Sequence, residues 1–175
     1  MNARRIARSR GFTIIELMTV LVVTAILLSL AVPAFVDLLA RRKMEGQVNE
    51  FVADLQYARS EAVQRNRNVL LLTGGAGTCY AIAAWTSGTG TCDCTATPVC
   101  TGGPTPLKTV QLASGVTVTN GTSFDFEPVR GSLQSAANTT ATLVRGAWQV
   151  NAVIPAYGRI SACSPSGSLR GYPTC

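Results

Sequence analysis

The hydrophobic pattern changes twice along the chain. Residues 17–36 (LMTVLVVTAILLSLAVPAFV) form an apolar run without a charge. At about 1.5 Å per residue, a helix of that length spans about 30 Å, the thickness of a bilayer's hydrocarbon core. From Met44 onward the apolar positions become periodic. Met44, Val48, Phe51, Val52, Leu55, Ala58, Ala62 and Val63 recur at steps of three and four, which predicts one apolar helix face. Glu45, Glu50, Asp54, Glu61 and Arg65 are expected on the other side, and Asn66-Arg67-Asn68 is a suitable end. One helix is therefore expected from about Phe12 to about Arg67. Past residue 68 the spacing changes to that of strands, expected at 69–73, 79–85, 107–112, 116–119, 123–127, 141–145, 147–154 and 157–162. Residues 86–106, rich in Gly, Thr, Pro and Cys, are expected to form a loop. The fold class is α+β: a long N-terminal helix with a hydrophobic first half, packed on a mostly antiparallel β domain.

Charge adds a targeting signal. The formal net charge is +6, but Arg4, Arg5, Arg8 and Arg10 all precede the apolar run. Without residues 1–11 the chain keeps 11 basic and 9 acidic residues, a net +2. A basic cluster ahead of an apolar helix holds that end on the cytoplasmic side of a membrane. Arg41-Arg42-Lys43 follows the run and reads as its first solvated turn, or as a contact to lipid headgroups.

The chemistry available is narrow. The chain has no histidine, so the commonest general base and metal ligand are missing. Gly74-Gly75-Ala76-Gly77 follows a strand but lacks the lysine and helix of a phosphate-binding loop. The sequence is read as a non-enzyme without a cofactor. Its six cysteines, Cys79, Cys92, Cys94, Cys100, Cys163 and Cys175, all lie beyond the apolar run. An even number behind a membrane-targeting start points to disulfides in an oxidising compartment. A zinc site on Cys79, Cys92, Cys94 and Cys100 is the competing reading, but C-x-C is tight for zinc, and no metal is expected. Strain disfavours a bond between Cys92 and Cys94. Each is expected to reach a different partner among Cys79 and Cys100.

The junction at residues 10–17 separates three readings of the N-terminus: a plain anchor, a secretory signal cut after Ser29 and Ala31, or a filament subunit. The apolar segment opens Phe12-Thr13-Ile14-Ile15-Glu16-Leu17. A carboxylate there costs roughly 2.5–3.5 kcal/mol on insertion scales, and a mere anchor gains nothing from it. A cut after Gly11 frees an amine on Phe12. In a stack of identical helices that amine meets Glu16 of a neighbour, so the buried carboxylate is paired.

GFTIIELMTVLVV resembles the start of type IV prepilins and of type II secretion pseudopilins. The resemblance implies cleavage between Gly11 and Phe12 by the prepilin peptidase, N-methylation of the new terminus, Glu16 as the residue that sets filament register, and Pro33 as a helix kink. The run EFVADLQYARSEAVQRNRNVLLL, with FDFEPVRGSL and AYGRISACSP further on, is similar to the GspH/FimT group of pilin-like proteins. The implied organisation is a leader over 1–11, a transmembrane and filament-core helix over 12–40, and a periplasmic pilin-like domain over 41–175. Cys163 and Cys175 are expected to pair, closing a loop like the C-terminal disulfide loop of many pilins. The implied partners are other pilin subunits, the peptidase and the inner membrane. The implied function is that of a minor pilin, with a type II secretion pseudopilin as the alternative.

The tail leaves one further question open. After Glu127 there is no acidic residue, while Arg130, Arg145, Arg159 and Arg170 remain. They keep the tail soluble, or they hold DNA weakly and without sequence preference. Minor pilins of the FimT kind are associated with DNA uptake through Gly-Arg-x-Arg. Here Gly158-Arg159-Ile160 is followed by Ser161 instead of the second arginine, with Arg170 as a spatial substitute and Tyr157 and Tyr172 as stacking candidates.

Overall fold

The computed structural model describes the chain except residues 1–10, 86–89, 122, 136, 158 and 166–168, and the side chains of 33 and 34. Arg4, Arg5, Arg8, Arg10 and Gly158 therefore lie outside the described residues. The chain divides into two units, Met1–Ala40 and Arg41–Cys175. One helix, α1 (Ile14–Arg65), supplies residues to both.

In the first unit α1 starts at a side-chain cap. The Glu16 N–H donates to Thr13 Oγ1 at 3.3 Å, and the Leu17 N–H donates to the Thr13 carbonyl at 3.1 Å. Thr13 with Glu16 three positions on is the threonine-to-glutamate spacing of a capping box. Beyond it the apolar residues point outward all round. Ile14 is 80% exposed and Leu30 is 72% exposed. The helical backbone runs on through residue 33.

In the second unit the same helix is one-sided. Met44, Val48, Phe51, Leu55, Ala58 and Ala62 are fully buried and form its face of the core. The helix stops where Asn66 turns to φ 51°, the Asn66 N–H donates to the Val63 carbonyl and the Arg67 N–H to the Ala62 carbonyl. That is the bond pattern of a Schellman stop, in which asparagine tolerates the left-handed region better than most residues.

Ten strands follow among the described residues: β1 (Val69–Gly74), β2 (Cys79–Ala84), β3 (Thr91–Cys92), β4 (Cys100–Thr101), β5 (Thr105–Gln111), β6 (Thr117–Val118), β7 (Ser123–Phe126), β8 (Thr139–Arg145), β9 (Trp148–Ile154) and β10 (Ser161–Cys163). They form an antiparallel sheet β5-β2-β1-β7, a second antiparallel sheet β10-β9-β8-β6, and the small β3-β4 hairpin. Leu71, Tyr80, Ile82, Phe124 and Phe126 of the first sheet share one core with Leu143, Val150 and Ile154 of the second. The Phe51 and Tyr80 rings meet edge to face at 5.2 Å.

Strand β2 is buried on both faces. Tyr80 and Ile82 enter the main core, while Cys79 and Ala81 face a smaller cluster with Cys94 and the partly buried Val99. The 92–100 segment is thus a cover on the back of the sheet, fixed by disulfides Cys79–Cys94 and Cys92–Cys100. Contact is close enough that a Cβ on Gly74 would lie 2.7 Å from Cys94 Sγ. The third disulfide joins Cys163 to Cys175.

Several elements differ from the sequence expectation. Residues 86–106 contain the β3-β4 hairpin, and β5 begins at Thr105. Pro106 fits in β5 because that strand is an edge of the sheet. The strand expected at 157–162 is confined to β10, with Tyr157 and Arg159 in the preceding connection. Pro155, which has no N–H for the ladder, follows the end of β9. Val63 is 49% exposed, while Asp54 and Glu61, expected on the solvent side, are only 6% and 8% exposed. Both are buried because they are paired. Glu61 bonds Arg65. Asp54 accepts from Tyr80 Oη at 2.7 Å and from Lys108 Nζ at 2.7 Å.

Candidate assembly surface and arginine groove

Two features stand out as candidate functional surfaces. The first is the apolar part of α1. None of its membrane-length apolar window is buried within the chain's own fold. Exposed large apolar residues run from Phe12, 78% exposed, to Leu39. Contiguous apolar surface on this scale marks a membrane or protein contact. Gly11 is exposed, and Glu16 lies in the first helical turn, held by the Thr13 cap. A carboxylate at that position also meets the positive end of the helix dipole, which offsets part of its insertion cost. Sequence reasoning passed over Thr13, although the threonine-to-glutamate spacing was there to be read.

The second feature lies in the unit Arg41–Cys175, on the flank of α1. Asn49, Val52, Gln56 and Arg59 follow one another at helical spacing along that flank. With Arg159, Ile160, Ser161 and Ala162 they line two overlapping grooves of about 420 Å³ each, which share Gln56, Arg159 and Ile160. The Arg59 end abuts the 127–131 turn: a Cβ on Gly131 (φ +61°) would lie 2.7 Å from Arg59 Cγ and 3.2 Å from Val63 Cγ2. That turn carries the exposed Val129 and Arg130, and the exposed Tyr157 lies two residues before Arg159.

The four tail arginines are not one patch. Arg159 shares its groove with Arg59, which the sequence reading had not singled out because the two lie 100 positions apart. Arg130 is on the neighbouring turn. Arg145 ends β8 at the Trp148 end of the β8-β9 ladder, whereas Arg159 lies beyond the Ile154 end. A seven-residue strand at about 3.3 Å per residue separates those ends by about 20 Å. Arg170 is exposed within the Cys163–Cys175 loop. Tyr172, a candidate base-stacking side chain, instead donates from its hydroxyl to Asn49 Oδ1 at 3.2 Å and to the Glu45 carbonyl at 3.4 Å. Burial first, and then Glu45, raises its pKa above the usual tyrosine value. Each of the six cysteines is joined to another.

The family described as type II transport protein GspH matches residues 47–158, and the prokaryotic N-terminal methylation motif matches residues 6–32. No curated protein matches the chain. Among solved structures, the type IV minor pilin FimU of Pseudomonas aeruginosa is similar at 22% identity with a TM-score of 0.56, covering 73% of this chain and 92% of that one. A second crystal form of the same pilin gives 21% identity and a TM-score of 0.53, covering 70% and 94%. At these identities the likeness shows a shared pilin fold.

Proposed function

We propose, because this chain belongs to the GspH family of pilin-like subunits, that it is a minor pilin of a type IV pilus, assembled with other pilin subunits through its N-terminal helix. The observation that carries the proposal is the apolar surface of α1, whose described large apolar side chains are exposed from Phe12 to Leu39. Before assembly the inner membrane covers it, with the β domain in the periplasm. After assembly the helices of neighbouring subunits cover it. The prepilin peptidase removes residues 1–11, and the amine freed on Phe12 meets Glu16 of an adjacent subunit, which sets the register. Glu16 suits that role because its backbone N–H is held by Thr13 at the start of the helix.

The test compares the parent with Glu16→Ala in the producing cells. The variant is expected to be cleaved and membrane-inserted but missing from sheared filaments; equal incorporation would refute the assembly role. The second reading, a type II secretion pseudopilin, is favoured by the match of residues 47–158 to the type II transport protein GspH family. It uses the same helix and processing. A deletion strain separates the two: loss of surface pili and twitching supports the pilus, whereas loss of exported enzymes from the medium supports secretion.

A further inference from the structure

The second sheet ends in a strand that the chain covers with its own tail. β10 pairs with β9 on one side and is the outermost strand of that sheet. Along its other side the tail runs in parallel. Ser164 bridges Thr174, the Ser164 N–H donates to the Pro173 carbonyl at 2.8 Å, and the Cys175 N–H donates to the Ser164 carbonyl at 3.4 Å. Tyr172 lines a groove together with Ser161 and Ala162, which puts the tail beside β10 itself. This ladder cannot lengthen by its next donor. That donor would be the N–H of residue 173, and proline has none. The Cys163–Cys175 disulfide fastens the short ladder, since its two cysteines adjoin the bridged Ser164 and Thr174.

The other outer strands are guarded by different means. β5 carries Pro106, Lys108 and a register shift opposite Ile82 and Ala83. β6 is two residues long. β7 has Leu133 bridged to Phe126, and the Gln134 N–H donates to the Asp125 carbonyl at 2.9 Å. Proline, lysine, irregular register, short length and a covering segment all keep sheet edges from pairing with another molecule. Ser161, Ala162 and Cys163 of β10 include no charge and no proline, and their register against β9 is regular. The tail is what remains to guard them.

We infer that residues 172–174 are a guard on the β10 edge, latched by Cys163–Cys175, and that without the guard this edge pairs with β10 of a second copy of the chain. The second copy brings the same uncharged strand, so antiparallel pairing about a two-fold axis sets no like charges opposite one another. Successive N–H groups of a strand alternate sides, so the Ala162 N–H lies on the side of the Ser164 N–H and is a donor for the new partner. The inference rests on no part of the filament reading.

The experiment measures self-association of the full chain in detergent by sedimentation equilibrium, where association through α1 is common to every variant. Each variant is first shown to keep the parent's near-UV circular dichroism at the temperature used. Deleting residues 172–175 together with Cys163→Ser removes latch and guard, and should tighten self-association about tenfold or more over the parent. Cys163→Ser/Cys175→Ser removes the latch alone and should fall between the two. Adding Ala162→Pro to the shortened chain removes the outward donor without taking a bond from β9, and should return association to the parent's level. The inference is overturned if the shortened chain associates no more than the parent, or if Ala162→Pro leaves its added association intact.

Discussion

Residues 14–40 and 41–65 belong to one helix and use their apolar side chains in opposite ways. In the first stretch Phe35 is 61% exposed and no side of the helix is reserved for polar residues. In the second, Phe51 is fully buried and the apolar positions form one stripe. The first stretch gains hydrophobic stabilisation only from something outside the chain, whereas the second already has it within the chain's own core. A helix can thus hold a domain together at one end and leave its cohesion to be supplied by lipid or by neighbours at the other.

The sharpest way to break this contrast is at the two phenylalanines. Phe51→Ala should destabilise the β domain by about 3–5 kcal/mol, because it leaves a cavity against Tyr80. Phe35→Ala should leave the midpoint of that domain unchanged, read as loss of near-UV circular dichroism on heating; equal shifts would abolish the distinction. Next is the tail. Cys163→Ser/Cys175→Ser releases a loop whose Leu169 is fully buried, and should cost about 3 kcal/mol by the chain-entropy argument, measured in the same melt.

Asp54→Asn should cost on the order of 1–3 kcal/mol, since it takes the charge from the acceptor of Tyr80 and Lys108. Burial works against the Lys108 ammonium, but its bonds to Asp54 and its pairing with Glu50 outweigh that and raise its pKa. Burial first, and then Asp54, also raises the Tyr80 phenol. Both groups keep their protons longer in the folded chain than in the unfolded one. Their contribution is therefore complete below about pH 10 and is lost as pH climbs beyond it. The parent should lose stability steeply in that alkaline range, and Asp54→Asn less so.

The smallest effect has the opposite sign. Asp125 Oδ1 is buried without a partner among the described residues, and burial raises the carboxyl pKa despite the Asn68 bond. The folded state favours the protonated acid, so stability is greatest below the unfolded carboxyl value and falls as pH rises through the folded one. Asp125→Asn should stabilise the chain at neutral pH by no more than about 1 kcal/mol, and the gain should vanish below about pH 4, checked by melting at both pH values.

Much of the architecture was legible in the sequence because it rests on period. The stripe from Met44 to Ala62 marked the helix, and alternation marked β7, β8 and β9 close to their observed limits. What was not legible depends on partners distant in sequence. Nothing near Asp54 announces Lys108, so a carboxylate on the flank of the stripe read as solvated. Local spacing likewise says nothing of Arg59 lying beside Arg159. The same limit hid the β3-β4 hairpin, which is two residues per strand and carries too little alternation to be seen without its disulfide.

The stapled cover over β2 ties the maturation of the domain to its location. Cys79 is in a strand with a neighbour on each side, and its sulfur bond to Cys94 holds the 92–100 segment over Ala81. While the thiols are reduced, that face of the sheet has no fastened lid, and water competes for it. Oxidation closes the lid, so its fastening needs an environment that supplies an electron acceptor. Cytoplasmic reductants would keep these thiols reduced and the cover unfastened.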